Sequence, residues 1–352
     1  MTNIKFTEQP LSEWMSREGH ESNIVISSRV RIARNLSDHP FPMLATNQQL
    51  ENILNQLQDV LQDSRVEAYG KLYPVHLDEL DELDKRVLVE KHLISPNLAN
   101  DAKHGAVFIS EDESLSIMVN EEDHLRIQCL YPGFQIQEAW DRASEIDDVF
   151  EDHVNYAFDD HRGFLTSCPT NVGTGLRASV MMHLPALVLT GQINRILSAV
   201  SQVGLTVRGI YGEGSEAMGN LFQISNQITL GQNEDEIIEN LYGVVLQIIE
   251  HEKAARESLL NESRLRMTDR VMRSYGILSH AAIIESKEAA QRLSDVRLGV
   301  DLGLIDHLSP KVLNELNVMT QPGFLQKLYH ENMAPSERDM YRAKLIREKM
   351  NN

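Results

Sequence analysis

Residues Cys168 to Ser179 read Cys-Pro-Thr-Asn-Val-Gly-Thr-Gly-Leu-Arg-Ala-Ser and bring a thiol and a guanidinium into one short stretch. Gly173 and Gly175 permit positive φ and Pro169 punctuates the entry, so the segment alone reads as a tight connection between a strand and a helix. Arginine recurs in similar settings: Arg29 and Arg31 in Ser-Ser-Arg-Val-Arg, Arg126 in Asn-Glu-Glu-Asp-His-Leu-Arg, and Arg208 in Val-Arg-Gly-Ile-Tyr-Gly-Glu-Gly. Strand side chains alternate across two faces, so Arg29 and Arg31 point the same way and repel unless an anion lies between them. An edge strand that uses arginine against aggregation is the plainer reading of that run by itself. Counted with Arg126, Arg177 and Arg208, the guanidinium forks suit the oxygens of a polyphosphate.

No G-x-x-x-x-G-K-[ST] pattern occurs, and Gly212-Glu213-Gly214 lacks the rest of a dinucleotide fingerprint. Such a site relies on arginine charge more than on a helix-opening amide cradle. That design resembles the phosphagen kinases in four segments: S-S-R-V-R from Ser27, N-E-E-D-H-L-R from Asn120, C-P-T-N-x-G-T-G-x-R-A from Cys168, and R-G-x-x-G-E from Arg208. The likeness is closest to the bacterial branch that phosphorylates arginine within proteins. It covers the whole chain, including a carboxyl-terminal helical part that metabolite-phosphorylating relatives lack.

The resemblance implies ATP as phosphoryl donor, with Mg2+ carried on the nucleotide's phosphates and no metal cage in the protein. It implies catalytic roles for Glu122, Glu213 and Cys168. A nucleotide site would comprise Ser27, Ser28, Arg29, Val30, Arg31, His92, Arg126, Arg177, Ala178, Ser179, Val180, Met181, Arg208, Gly209, Ile210, Tyr211 and Gly212. The chemistry is consistent: a guanidinium with a pKa above about 12 stays protonated, so a carboxylate must align its nitrogen and take the proton. By themselves Glu121, Glu122 and Asp123 read as a solvated acidic turn. Glu121 and Asp123 either order the loop or pair with arginines, and spacing leaves this open. Arginine neighbours would depress the Cys168 pKa to give a thiolate that helps hold the substrate guanidinium.

Arg338, Asp339 and Arg342 resemble the family's R-D-x-x-R-A phosphoarginine pocket, an allosteric site; the resemblance implies that Arg338 and Arg342 bind the phosphoguanidinium and Asp339 contacts its guanidino part. The spacing alone suits an ordinary i,i+3 helix pair. Only 26 residues precede Ser27, where metabolite kinases carry a domain that closes over a small guanidino compound. A site without that lid admits arginine attached to a polypeptide. The expected function is protein-arginine phosphorylation as a stress-response mark, with a zinc-binding activator and a Clp-type unfoldase or protease as partners. The alternatives are a small-molecule guanidino kinase and a catalytically silent phosphoarginine-binding adaptor.

Composition sets outer limits. The chain has 352 residues and a net charge of −19, which argues against nonspecific nucleic-acid binding and favours basic partners. Residues 255–352 hold 15 Lys+Arg and 13 Asp+Glu, leaving 18 and 39 for residues 1–254, which sets an expected boundary between a catalytic domain (1–254) and a helical one (255–352). There is no apolar run of membrane-spanning length and no apolar core of a secretory signal, so a cytoplasmic, non-membrane protein is expected, as a dimer or higher homo-oligomer. Cys129 and Cys168 make neither a disulfide framework nor a zinc spacing.

To position these residues the chain offers short β-like runs at residues 107–109, 115–119, 125–130 and 221–224. Helices are expected from Thr46, from Glu234 through Tyr275, from Ser309-Pro310, and from Ser336 with Asp339. The fold class is α+β: an antiparallel sheet flanked by helices, then a smaller all-α domain.

Overall fold

The structure, a computed structural model, describes residues 5–208, 218–330 and 332–351. Among these, the apolar runs form strands β1 (Val25–Arg34), β2 (Leu72–His76), β3 (Ala106–Ser110), β4 (Leu115–Val119), β5 (Leu125–Pro132), β6 (Phe158–Asp159), β7 (Gly163–Phe164), β8 (Leu176–His183), β9 (Leu205–Arg208) and β10 (Leu221–Asn226). Eight of them make one sheet in the order β2-β3-β4-β5-β1-β8-β10-β9, with every neighbouring pair antiparallel, while β6 and β7 form a separate ribbon. The helices that bear on the site are α1 (Asn47–Asp59), α2 (Ile136–Glu151), α3 (Glu234–His280), α4 (Ser286–Asp301), α5 (Pro310–Met319), α6 (Pro322–Tyr329) and α7 (Pro335–Met350).

The two faces of the sheet differ because alternate residues differ. Val30, Ile32, Ile127, Cys129, Ala178 and Val180 lie on one face and pack with Ile146 and Phe150 of α2 and Leu241 and Val245 of α3. Each such aliphatic burial contributes about 1.5–3 kcal/mol, which commits this face to the core. On the other face, Val107, Ile109 and Met118 of β3 and β4 are covered by the segment that contains Leu88, Leu93 and Leu98. The central strands of that same face carry the arginines.

Local signals decide the helix ends. Thr46 caps α1 in a reciprocal capping box with Gln49, and Ser309 caps α5 with Pro310 in its first turn. The last helix starts at Pro335, ahead of the expected Ser336, because proline's fixed φ suits a first turn. There Glu337 accepts the Ala334 N–H at 2.8 Å. The long helix runs to His280 and beyond the expected Tyr275, interrupted at Ser263 (φ −147°, ψ 34°). The core under the sheet extends to Ala255, and a second core among the C-terminal helices begins at Met267, with Leu259 touching both.

One buried ion pair fixes the far end of β1. Arg34 Nη2 lies 2.6 Å from Asp147 Oδ2 on α2, its guanidinium stacks 3.5 Å over the Phe164 ring, and its Nη1 donates to the Thr174 carbonyl at 2.8 Å. Burial pushes the Asp147 carboxyl up, against the pull of Arg34 and the Tyr156 hydroxyl, so removing either charge strands the other. Asp147→Ala is expected to cost about 3–5 kcal/mol of folding free energy, read from urea unfolding. A loss below about 1 kcal/mol would show that the pair does not brace the sheet.

Candidate active site

The strand register collects the arginines. Arg31 on β1 stands opposite Arg177 on β8 and Gln128 on β5, Arg29 stands opposite Ser179, and Arg126 stands opposite Ala33. Two steps of two residues separate Arg29, Arg31 and Ala33, so all these positions share one face. Arg208 of β9 stands opposite Gln223, which stands opposite Met181, so the fifth arginine shares that face as well. Directly opposed like charges in a sheet repel. Burial first, then Arg177 and Arg126, lowers the Arg29 pKa to about 10. Arg31 is held well below its ordinary value by burial and by Arg29, Arg126 and Arg177. Among the described residues neither Arg29 nor Arg31 pairs with a carboxylate, and Arg31 Nε has no hydrogen-bond partner. The face concentrates positive charge, and a polyphosphate lying on it would relieve the repulsion.

The same alternation turns the side chains of some expected residues to the core and leaves only their backbone for a phosphate, as expected for Ala178 and Val180. The side chains of Ser28, Val30, Ala178 and Val180 face the core, where Ser28 Oγ donates to the Gly133 carbonyl at 2.9 Å. Only their backbone belongs to the arginine side. Ser27, Ser179 and Met181 lie on that side. His92 adopts a left-handed φ of 60° and gives its carbonyl to Gln128 Nε2 at 2.8 Å. Burial, Arg29 and Arg31 hold its imidazole down at about 4, so it is neutral at pH 7. Gly209, Ile210, Tyr211, Gly212 and Glu213 lie outside the described residues.

Three adjacent acids take three roles. The Glu121 side chain is 1% exposed, pairs with Arg126 Nη1 at 2.5 Å and accepts the Ser95 hydroxyl. Asp123 is buried, and its Oδ1 accepts Asn35 Nδ2 and the Ser167 N–H, both at 2.7 Å. Glu122 is 36% exposed and touches Arg126 Nη2 at 3.3 Å. The bond from Asp123 to Ser167 docks the loop bearing Cys168 beside the loop bearing Glu122. Cys168 is partly exposed, with Sγ 3.0 Å from Thr170 Oγ1.

Sequence reasoning missed the residues that hold this loop in place. Thr229 donates to the Thr170 and Val172 carbonyls at 2.9 and 2.7 Å, and Arg34 holds Thr174. Gly173 (φ 115°) passes so close to Thr229 that an added Cβ would sit 2.5 Å from its carbonyl oxygen. The only local signal was the pair of glycines, since Thr229 and Arg34 are distant in the chain. Among the described residues no group of three or more His, Cys, Asp or Glu could hold a metal ion.

Near the C-terminus, Arg342, expected to bind a ligand together with Arg338, is buried with its guanidinium committed to the protein. Its Nε and Nη1 donate at 3.0 Å to the Thr320 and Ile284 carbonyls, and Nη1 also donates to Asp339. Arg338 Nη1 donates to the Met333 carbonyl at 3.0 Å.

An antiparallel sheet with an arginine-lined face and the partly exposed carboxylate of Glu122 at its rim is an arrangement suited to phosphoryl transfer. A family model described as the ATP:guanido phosphotransferase C-terminal catalytic domain matches residues 41–255, and one described as the protein-arginine kinase McsB C-terminal domain matches residues 264–352. A protein-arginine kinase of Brevibacillus brevis is 60% identical over 99% of this chain and 98% of its own length. One of Bacillus subtilis is 56% identical over 98% and 95%. Among solved structures, a duplicated taurocyamine kinase from Schistosoma mansoni aligns at TM-score 0.59 and 21% identity over 76% of this chain and 40% of its own. Lombricine kinase aligns at 0.59 and 20% over 71% and 72%. These two likenesses speak to the fold alone. The chain belongs to the ATP:guanido phosphotransferase family, with the C-terminal domain of its protein-arginine kinases, and is a phosphotransferase acting on guanidino groups.

The acidic loop makes a pH test. His124 is buried, accepts the Leu36 N–H on Nδ1 at 3.0 Å and lies 3.0 Å from the Pro40 carbonyl through Nε2, and burial lowers its pKa from 6.5 to about 4. The unfolded chain then binds a proton that the folded chain refuses. Stability is complete above 6.5 and falls as pH drops through the window from 6.5 to about 4, for His124 and His92 alike. Each contributes a slope of at most about 1.4 kcal/mol per pH unit. Urea unfolding at pH 7 and pH 5 should show the loss, and equal stability at both would refute it.

Proposed function

We propose that this protein transfers the γ-phosphoryl group of ATP to the guanidino nitrogen of arginine side chains in proteins. The observation that carries this reading is the set of arginines on one sheet face, with Glu122 and the Cys168 loop joined at its rim by the Asp123 to Ser167 hydrogen bond. Arg29, Arg31, Arg126, Arg177 and Arg208 bind the triphosphate and stabilise charge on the equatorial oxygens during transfer. Magnesium, riding on the phosphates, would neutralise part of that charge. Glu122 aligns the substrate guanidinium and accepts its proton as the N–P bond forms and the P–O bond to ADP breaks. Glu121 keeps the Arg126 fork in plane, and Cys168 contacts the substrate guanidinium. Glu213 is assigned as the second substrate carboxylate on the family motif. The excess of acid in residues 1–254 favours basic polypeptide segments as substrates.

The finer reading follows from the resemblance. The modification marks proteins in a stress response, together with a zinc-binding activator and a Clp-type protease, in the cytoplasm and as a homo-oligomer. No described helix is long and apolar enough to cross a membrane. A phosphoarginine would meet Arg338 and Asp339 at the surface, with Arg342 bracing Asp339 from behind.

Incubation with radiolabelled ATP and either casein or free arginine tests the activity. Acid-labile label on casein supports it, and label on free arginine alone overturns the protein-substrate reading. Arg126→Lys keeps the charge but loses the fork, and should lower kcat by about 10²- to 10³-fold. Near-normal turnover would contradict the phosphate clamp. Asp339→Ala should abolish any response of activity to added phosphoarginine while leaving basal turnover intact, and an unchanged response would count against the second site.

A further inference from the structure

Thr229, which holds the Cys168 loop, sits between two apolar residues that face water. Its side chain is buried, its hydroxyl bridges the Thr170 and Val172 carbonyls at 2.9 and 2.7 Å, and its own carbonyl accepts the Thr174 N–H at 3.4 Å. Ile228 and Leu230, on either side of it, are 50% and 54% exposed. Val203, 48% exposed, joins them. The Gln227 N–H donates to the Gly204 carbonyl at 3.3 Å, and Ile228 Cδ1 lies 4.0 Å from where a Cβ on Gly204 would stand. Single apolar residues scattered over a surface are ordinary, but three gathered on a braced segment beside a loop of the site mark a contact surface.

The charge around this patch has one sign. No lysine or arginine occurs in residues 196–207 or 227–252, whereas Asp235, Glu236 and Glu239 at the start of α3 are exposed. Asn240 Nδ2 donates to the Val203 carbonyl at 3.3 Å, and Glu236 lies one turn before Asn240 on the same side of the helix, so acid borders the apolar group. A second copy of the chain, meeting this patch with its own, would set acid against acid. A polypeptide segment that carries arginine is attracted instead. Such a segment also reaches the patch, because Thr229 is one hydrogen bond from the loop bearing Cys168 and an extended chain advances about 3.3 Å per residue. Free arginine has no neighbours in a chain and cannot touch both.

We propose that Val203, Ile228 and Leu230 form an exosite for the substrate polypeptide, taking an apolar side chain that lies a few residues from the arginine being phosphorylated. This rests on the reading of the protein as a kinase of arginines in polypeptides. The exosite selects segments in which arginine and large apolar residues are open together. Those apolar residues are open in an unfolded chain and mostly buried in a folded one. Because Thr229 is braced before substrate arrives, contact beside it costs little ordering of the protein. The patch adds affinity without entering the transfer step, so its contribution falls on KM and leaves kcat alone.

The test uses the full-length protein and two short peptides that share one arginine and differ only in carrying leucines or serines on both sides of it. Binding is read by fluorescence anisotropy and transfer by radiolabelled ATP. The leucine peptide should bind about tenfold more tightly and show a KM lower by about the same factor, at equal kcat. In the double variant Ile228→Ser/Leu230→Ser that advantage should fall below about twofold, with the serine peptide unchanged. Equal binding of the two peptides by the wild-type chain, or an advantage that survives in the variant, overturns the proposal. Loss of both peptides alike in the variant also overturns it, because the two residues would then only support the Cys168 loop. A smaller oligomer of the variant in light scattering would make the patch a contact between copies, and a leucine peptide bound but not phosphorylated would give it to another partner; either result overturns the exosite. If the variant does not fold, hydrogen exchange of the wild-type chain decides: the leucine peptide alone should slow residues 227–231, and equal exchange with both peptides overturns the proposal. Failure of the wild-type chain to label casein or either peptide would instead bring down the kinase reading, and the exosite with it.

Discussion

Repulsion among guanidinium groups on one face of an antiparallel sheet is the constraint on which the rest depends. Arg31 and Arg177 stand directly across a strand pair, Arg29 lies one step along, and Arg126 lies on the next strand. Left in water these side chains would splay apart. Here the strands that carry them are central in an eight-stranded sheet, flanked on both sides and backed by a core that includes Val30, Ile32, Ala178 and Val180. The core fixes the backbone, and the backbone fixes the charges. Electrostatic pre-organisation of this sort does its work before substrate arrives, which is why it accelerates transfer at little reorganisation cost.

Carboxylates are rationed around that cluster. Glu121 neutralises Arg126 alone and is buried in doing so, Asp123 is consumed in docking the Ser167 loop, and Glu122 alone keeps a third of its surface open. Had Glu121 paired with Arg31 as well, the charge of the arginine face would be quenched by the protein itself. Three consecutive acids therefore diverge in role because each meets a different neighbour, not because of any difference in intrinsic chemistry.

A second set of buried charges joins the helical C-terminal part to the sheet. Arg256 lies within reach of both Glu252 and Asp301, and Arg297 shares Asp301. Burial raises the pKa of both carboxyls against these arginine fields. The same fields, after burial, keep His183 well below its ordinary pKa. Such a network adds little net stability over an apolar substitute, and it specifies one arrangement of helices over the strands. Arg342 repeats the device further out, tying α7 to the ends of α5 and α4 through the Thr320 and Ile284 carbonyls.

Much was legible in the sequence alone. The two-residue period placed Arg29 and Arg31 on one face, Thr46 with Gln49 and Ser309 with Pro310 marked helix starts, and the glycines at 173 and 175 marked positive φ, because each depends on neighbours within a few residues. What only the tertiary structure decided was everything set by pairing between distant segments. The register brought Arg126 and Arg177 beside Arg31, and sent the Ser28 and Val30 side chains to the core. The docking of residue 167 on residue 123 set the loop of Cys168 beside the loop of Glu122, and the packing of α4 and α5 over β1 enclosed a cavity. Period and cap are local properties of a chain, but which strand lies beside which is fixed by burial of the whole core, and no single stretch of residues contains that information.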